Sequence, residues 1–326
     1  MKKPLIATAL TLGLLALPAH AGMDEAKAAI EKDDYTTAFK ELSPLAEKGN
    51  AQAQWMLSAM YIAGKGAPRS VELSLKWMRE SAQHGYRDAQ STLGEVYLAG
   101  KIVTKDVPEA VKWLKLAAGQ QDAKADMILG SLYEGGAGIP ANPTETAKYY
   151  GEGAKLGFAP AETKYGQLYL RGKGVKQDDA EAAKWIKAAA EQGFPPAQSL
   201  LAGLFSQGKG VPRDPQAATQ LLWGAASQGE PGALNTLAAL YAKDNRPGAH
   251  ITSYALYTAL ALVVPPEAKA ILAQRDSMAA TMKPDEVTEG TALTKELVKP
   301  GNFMNAMKAH TAKYAPAGTP AAAPAK

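Results

Sequence analysis

The sequence predicts an all-α fold, an α-solenoid of 36-residue helix–turn–helix repeats, and three observations lead to this expectation. Apolar and aromatic residues recur every 36 positions over most of the 326-residue chain. Within each period, the apolar residues follow helical rather than strand spacing. Capping residues and glycines recur where the helices should begin and end. Because one such unit cannot bury its own apolar stripe, successive units must stack into a solenoid.

The repeats are visible as five columns of similar residues, each column with a spacing of 36. Five columns in register indicate true internal repeats. Repeats of this length indicate a solenoid architecture, independently of the local secondary-structure pattern. The columns are Tyr61, Tyr97, Tyr133, Tyr169, Phe205 and Tyr241; Ala53, Ala89, Ala125, Ala161, Ala197 and Ala233; Leu57, Leu93, Leu129, Tyr165, Leu201 and Leu237; Trp77, Trp113, Tyr149, Trp185, Leu221 and Tyr257; and Ala46, Ala82, Ala118, Ala154, Ala190 and Ala226.

Each period contains two predicted helices, called here helix A and helix B. In the first full unit, Ala53, Leu57 and Tyr61 lie at i, i+4 and i+8 and form one apolar stripe, which predicts helix A at about 51–63. A second stripe of the same spacing predicts helix B at about 71–84.

Capping signals agree with these helices. One column before helix B holds residues that favour the N-cap, and prolines follow it at the first helical position. Three glutamates lie three residues after their caps and predict capping boxes. Glycines follow both helices, as left-handed C-terminal caps require, with Gln121 as the one exception after helix B. The N-cap residues are Asp34, Ser70, Asp106, Asn142, Asp178 and Asp214; the prolines are Pro143 and Pro215; the glutamates are Glu109, Glu145 and Glu181; the glycines are Gly49, Gly85, Gly157, Gly193 and Gly229 after helix B and Gly64, Gly100, Gly136, Gly172 and Gly208 after helix A.

The two ends of the chain differ from the repeats. Residues 1–21 combine two lysines, an apolar stretch from Leu5 to Leu17 and an Ala19-His20-Ala21 motif, which predict a cleavable signal peptide. The alternative is an uncleaved membrane anchor, but the apolar stretch is shorter than the roughly 20 residues that a span needs. After an N-terminal half unit and six units over 22–262, helices at 265–282 and 284–297 are expected to cap the stack within 263–314, before a disordered Ala/Pro tail at 315–326.

The fourth unit shows a pattern that resembles the Sel1-like repeat family, relatives of the tetratricopeptide repeats. The resemblance covers residues 24 to about 262 and implies a right-handed superhelix with helix A on its concave side, and a role as an adaptor between proteins. Cysteine-rich members carry a disulfide in each repeat, but this chain has no cysteine. The residues that carry the pattern are Ala161, Tyr165, Gly166, Tyr169, Gly172, Gly174, Val175, Asp178, Ala182, Trp185, Ala189, Ala190 and Gly193.

Composition argues against several classes of function. The net charge is +4 for the whole chain and falls to +2 when Lys2 and Lys3 leave with the signal peptide, which is too little for nucleic-acid binding. None of the few histidines lies in a metal-ligand spacing, and the sequence contains no G-x-S-x-G nucleophile elbow. We therefore expect no enzyme activity, no cofactor or metal, and no stable membrane insertion.

Two surfaces are candidates for binding. The first is the face of helix A opposite its core stripe, where large residues crowd the early units and provide good anchors for a protein partner. The alternative for Trp55 is packing under the helix of residues 24–32. The second is a basic rim in the A–B loops, which fits an envelope glycan or an anionic surface, or is simply a solvated loop. The helix A residues are Trp55, Ile62, Glu95, Leu98, Met127, Glu134 and Gln167, and the rim residues are Lys65, Lys101, Lys173 and Lys209.

The sequence thus favours an exported, non-catalytic scaffold, periplasmic or secreted, that binds a protein partner on its concave face. Two alternatives remain open. One is an enzyme or accessory factor acting on an envelope polymer such as peptidoglycan. The other is a secreted factor that contacts a host cell.

We predict that the exported protein begins at Gly22, because signal peptidase cleaves after small residues such as those at Ala19 and Ala21. N-terminal sequencing of protein from the periplasmic or culture fraction tests this expectation. Recovery of intact Met1 from the membrane pellet would contradict it.

Overall fold

The computed structural model describes residues 21–136 and 138–314. The expected tail at 315–326 and all but the last residue of the expected signal peptide lie outside the described residues. The described ranges contain 17 α-helices, a short 3-10 helix and no strand, which confirms the all-α solenoid. The chain divides into two compact parts, called from here on the first unit (residues 1–125) and the second unit (residues 126–326), while each 36-residue period is called a repeat. The boundary lies inside one helix of the third repeat.

The first unit is a series of helices in which each packs against the next. The predicted half unit at its N-terminus is a complete hairpin, although its first helix is shorter than the others. Helices A and B of the first full repeat lie where the apolar stripes predicted them. The helices are α1 Ala21–Glu31, α2 Tyr35–Glu47, α3 Ala51–Ala63, α4 Val71–Gln83, α5 Arg87–Ala99 and α6 Val107–Ala118.

The second unit continues the repeats, and its A helices again alternate with B helices. Its last hairpin departs from the pattern, because α14 begins two residues earlier than the repeat would place it. The helices are α7 Ala123–Gly135, α8 Pro143–Lys155, α9 Ala159–Arg171, α10 Asp179–Glu191, α11 Pro195–Gln207, α12 Pro215–Ser227, α13 Pro231–Ala242 and α14 Ala249–Val263.

The C-terminal helices are only partly as expected. The single helix predicted at 265–282 is a 3-10 turn, Pro265–Glu267, followed by a shorter helix, α15 Ala268–Ala279. Helix α16, Pro284–Leu297, has the predicted bounds, and α17, Phe303–Lys313, was not predicted. Phe303 and Met307 of α17 enter the same core as Leu222 of α12, so α17 also covers the last repeats.

No single helix in the described ranges is both long and apolar enough to cross a membrane. Helix α14 and the segment Pro265–Ala279 meet the length and composition criteria only as a pair, and that pair is bent by 119°. Most of α14 is buried among its neighbouring helices.

The helix caps explain how the sequence sets the helix boundaries. All six predicted N-cap side chains accept a hydrogen bond from a backbone N–H of the first turn. The predicted capping boxes are wrong, because the N-cap N–H is already used: that of Asp106 donates to the carbonyl of Tyr97 at 3.1 Å. Glu109 does not accept from its N-cap N–H and accepts from the indole N–H of Trp113 at 2.8 Å. Glu109, Glu145 and Glu181 each also form an ion pair with the lysine three residues later.

Gln121, the one residue other than glycine in the column after helix B, adopts the same left-handed backbone conformation as the glycines. Gln121 has a φ of 62°, in the left-handed region that the glycines of this column also occupy. This conformation is strained for a residue with a side chain. The repeat geometry therefore imposes the turn even where glycine is absent.

Helices A and B of one repeat approach closely at a small residue of helix A. A Cβ at Gly94 would lie 2.6 Å from Cγ of Leu114, and one at Gly166 would lie 2.6 Å from Cγ1 of Ile186. At Gly130 the added atom would overlap the ring of Tyr150, which is fully buried. The glycines thus leave room for a large side chain from helix B, and this matching seats the hairpins of the second, third and fourth repeats.

We predict opposite effects for two glycines of α7. Gly130→Ala should lower the free energy of unfolding by about 1–3 kcal/mol, because the new methyl overpacks against Tyr150. Gly135→Ala should raise it by about 0.4–1 kcal/mol, because nothing lies near the added atom and alanine restricts the unfolded chain. Urea denaturation measures both changes, and a stabilising Gly130→Ala would contradict the close crossing.

Candidate functional site

Trp55 is half-buried against the following repeat. Its ring lies 6.2 Å from that of Tyr86 between centroids, and it borders a core cluster that contains Ala82 and Leu93. The core cluster that packs against α1 contains Leu42 and does not include Trp55. The alternative placement under the N-terminal helix is therefore wrong, and part of the indole remains accessible.

The other apolar candidates of the first unit lie at the surface. Ile62 is 36% exposed, which is high for an isoleucine in a packed helix. Leu98, one repeat later at the same position, is half-buried, and Ala59 near Ile62 is exposed. Together with Trp55 these side chains form a surface that we call the α3–α5 face.

Glu95 has a partner within the same unit. Its carboxylate accepts from the ammonium group of Lys124 at 2.6 Å, which joins α5 to the first turn of α7. Both side chains remain substantially exposed, so the pair adds little to stability. It places a charged group beside Leu98 on the α3–α5 face.

In the second unit, Glu134 is bound to the interior. Its carboxylate accepts from the hydroxyl of Tyr150 at 2.9 Å and lies 3.5 Å from the ammonium of Lys164. Burial alone would raise the pKa of Glu134, but these two partners outweigh it and hold the pKa below its ordinary value. Met127 packs on the core around Tyr150, and Gln167 is half-buried. Glu134 and Met127 thus have clear structural roles in this unit.

The rim lysines do not behave as one group. The ammonium of Lys65 donates to the Tyr35 hydroxyl at 2.7 Å and lies 4.1 Å from the centre of that ring. Lys209 lies 3.4 Å from a carboxylate oxygen of Asp179. Lys101 and Lys173 are exposed and form no ion pair within the described ranges.

A column of buried polar residues was missed by the sequence reading, although it too repeats every 36 positions. The amide of Gln54 donates to the Ala46 carbonyl at 2.9 Å, and its oxygen lies 2.8 Å from Nδ1 of His84. Gln90, the next member, donates to the carbonyl of Ala82 at 3.0 Å. These bonds tie helix A to the preceding helix B and give His84 a structural role.

Clusters of potential metal ligands are absent from the described part of the chain. No group of three or more histidine, cysteine, aspartate or glutamate side chains is placed to hold a metal ion there. Among the carboxyl groups whose pKa is shifted, Glu134 and Glu162 lie in separate inter-helix contacts. The pKa of Glu162 is raised by burial, and Gln192 donates to this carboxyl at 2.8 Å.

Comparison with known proteins identifies the repeat. The Sel1 repeat matches five consecutive stretches, 51–86, 87–122, 123–158, 159–194 and 195–230. A Sel1 repeat protein from Oxalobacter formigenes is 30% identical, with a TM-score of 0.61, over 68% of this chain and 87% of that one. The protective antigen c5321 of uropathogenic Escherichia coli strains, which displays an SLR fold, is 23% identical, with a TM-score of 0.71, over 91% of this chain and 64% of that one. The second likeness concerns the fold alone, and no curated protein matches the chain.

The Glu134 network predicts a pH-dependent contribution to stability. Because the folded pKa of Glu134 is lowered, its contribution is present above the unfolded pKa of about 4.3 and is lost as pH falls through the folded value. Glu134→Gln should therefore lower the free energy of unfolding by about 0.5–1.5 kcal/mol at pH 7. The difference should vanish in acid.

Urea denaturation at pH 7 and near pH 3 measures this effect. Glu152→Gln is the matched control, because the Glu152–Lys155 ion pair is exposed on both sides and should contribute little at either pH. Equal effects of the two substitutions at pH 7 would contradict the network.

Proposed function

The chain belongs to the Sel1 repeat family, and we propose that it is an exported scaffold that binds a protein partner through the α3–α5 face. Sel1 repeat proteins generally act as scaffolds for protein interactions. The repeats described above are built for this, because each helix is fixed by its neighbours and presents its outer side chains rigidly. A rigid surface loses little conformational entropy when it binds.

The observation that carries the proposal is the exposure of Ile62 beside a partly accessible tryptophan. Large apolar side chains cost free energy in water, and rigid aromatic residues provide most of the energy where proteins bind. The core of the first unit is already filled by Leu57 and Leu93, which are fully buried, so Ile62 is not needed there, and Trp55 contributes only part of its ring to the core. The α3–α5 face is thus apolar at its centre.

Polar groups border this centre. The Glu95–Lys124 pair lies next to Leu98 and leaves both charged groups partly open to solvent. Protein interfaces commonly have such an arrangement, with an apolar core and a charged rim that selects the partner. The corresponding positions of the fifth and sixth repeats carry smaller residues, among them Ser206 and Ala242. A partner would gain less contact energy there.

Export rests on the sequence of the first 21 residues, with its basic start, apolar stretch and small-residue motif. The absence of cysteine is compatible with an oxidising compartment, because no thiol is available to be oxidised there. The partner is accordingly a protein of the periplasm or the cell exterior. Contact of the rim residue Lys101, in the same unit as the α3–α5 face, with an envelope glycan would add to this interaction.

We predict that Ile62→Asp combined with Leu98→Asp lowers partner capture by at least about tenfold, because charge is introduced at the centre of an apolar interface. Purified protein is immobilised, exposed to envelope extract, and the retained proteins are quantified by mass spectrometry against the unmodified chain. Circular dichroism melting confirms that the variant is folded.

The matched control carries the same change at the same position of later repeats, Ser206→Asp with Ala242→Asp. It should leave capture unchanged. A loss that is equal in both double variants would reflect net charge rather than a site. Full capture by the first variant would exclude the α3–α5 face as the binding surface.

A further inference from the structure

The second unit contains a groove between two successive B helices, α10 and α12. Helix α11 forms its floor with Leu201 and Phe205, while Lys187 and Leu221 line opposite walls. Its volume is about 380 Å³, which is enough for one large side chain of a partner. None of these residues belongs to the α3–α5 face.

The groove exists because an aromatic residue is missing from the repeat. Leu221 occupies the column that holds Trp113, Tyr149 and Trp185 in the three preceding repeats. Trp113 and Tyr149 are well packed, at 8% and 7% exposed, whereas Trp185 is half-buried. Ala217 likewise replaces the glutamate of the earlier B helices. The fifth repeat therefore lacks the atoms that cover helix A in its neighbours.

The neighbouring repeats show what environment such a ring has in this fold. A lysine ammonium lies 5.2 Å from the ring centre of Trp113 and 5.6 Å from that of Trp185. These are cation–π contacts, which favour an electron-rich ring next to a positive charge. In the groove, Gln220 replaces that lysine. Lys187 of the facing helix lines the wall and provides the cation, which lies 3.7 Å from the carboxylate of Glu191, also at the groove.

Gln198, which lines the groove, has an unused hydrogen-bond acceptor. The side-chain oxygen of Gln198 is buried without a partner, whereas Gln120 donates to the equivalent oxygen of Gln90 at 2.8 Å. Gln228, which could have served Gln198, donates to the carbonyl groups of Gly193 and Gly224 instead. A buried acceptor without a donor is unfavourable, and no competing bond to that oxygen holds the amide in place. An N–H group that entered the groove would satisfy it.

We propose that this groove binds the indole side chain of a tryptophan in a partner polypeptide. The ring takes the place of the aromatic residue that the fifth repeat lacks, over Leu201 and Phe205. Lys187 lies at the face of the ring, and the indole N–H donates to the Gln198 amide oxygen after that amide rotates toward the groove. This is a second contact, on the B helices, beyond the partner surface proposed above.

Indole itself is the probe, added to the full mature chain and followed by saturation-transfer and chemical-shift NMR. Leu221→Trp should abolish binding, because the indole of the variant fills the groove from within. Gln198→Leu should weaken binding about 2–10-fold, which corresponds to one hydrogen bond. For the same reason, 1-methylindole, which has no N–H donor, should bind the unmodified chain about 2–10-fold more weakly than indole does. The Gln198→Leu variant should bind indole and 1-methylindole with equal affinity.

The control is Leu240→Trp, which adds the same ring at an exposed leucine of the same unit and should leave binding intact. Circular dichroism establishes that each variant is folded. Shift changes that map away from α10 and α12, or binding that survives Leu221→Trp, would overturn the proposal. So would an absence of indole binding up to its solubility limit. None of these results bears on capture through the α3–α5 face, so the two proposals fail separately.

Discussion

The close crossing of helices A and B within each repeat is the contact on which the rest of the structure depends. Glycine at 94, 130 and 166 lets the backbone of helix A approach a leucine, tyrosine or isoleucine of helix B. At these three crossings the packing leaves no room for a side chain in place of the glycine, and protein interiors tolerate little overlap. Once helices A and B are packed in this way, apolar side chains remain uncovered on the two sides of the hairpin. Only the neighbouring hairpins can cover them.

Neighbouring hairpins are then held in register by hydrogen bonds that apolar packing alone would not specify. The amides of Gln54 and Gln90 reach back to backbone carbonyls of the preceding repeat, at 2.9 and 3.0 Å. A sliding displacement between repeats would leave these buried groups unpaired, at a cost of about 1–3 kcal/mol each. Directional bonds of this kind select one arrangement from the many that a smooth apolar surface permits. The same requirement explains why His84, a residue type associated with catalysis, serves structure here.

Because the scaffold is set by a few positions in each repeat, the remaining positions are free to differ. This freedom produces both surfaces discussed above. On the A helices, Ile62 and Ser206 occupy the same place in the repeat with opposite character. On the B helices, Leu221 stands at the position where Trp185 carries a half-buried ring, and Leu221 lines a groove. Binding specificity in a solenoid thus arises from local departures from the repeat, while the repeat itself supplies rigidity.

The sequence by itself determined the repeat length, the helix bounds in the regular units, the N-caps and the glycine turns, because each depends on residues within one period. The tertiary structure alone decided which side chains meet between helices. The capping boxes were wrong because the N–H of Asp106 bonds to Tyr97 of the preceding helix A, which local spacing does not reveal. The helical periodicity of helix A predicted that Glu134 points away from the core, yet its carboxylate accepts a hydrogen bond from Tyr150 of helix B. Helix α17 and the groove at Leu221 likewise depend on contacts between segments distant in sequence. Periodicity encodes local geometry, whereas partners across helices follow from how the hairpins stack.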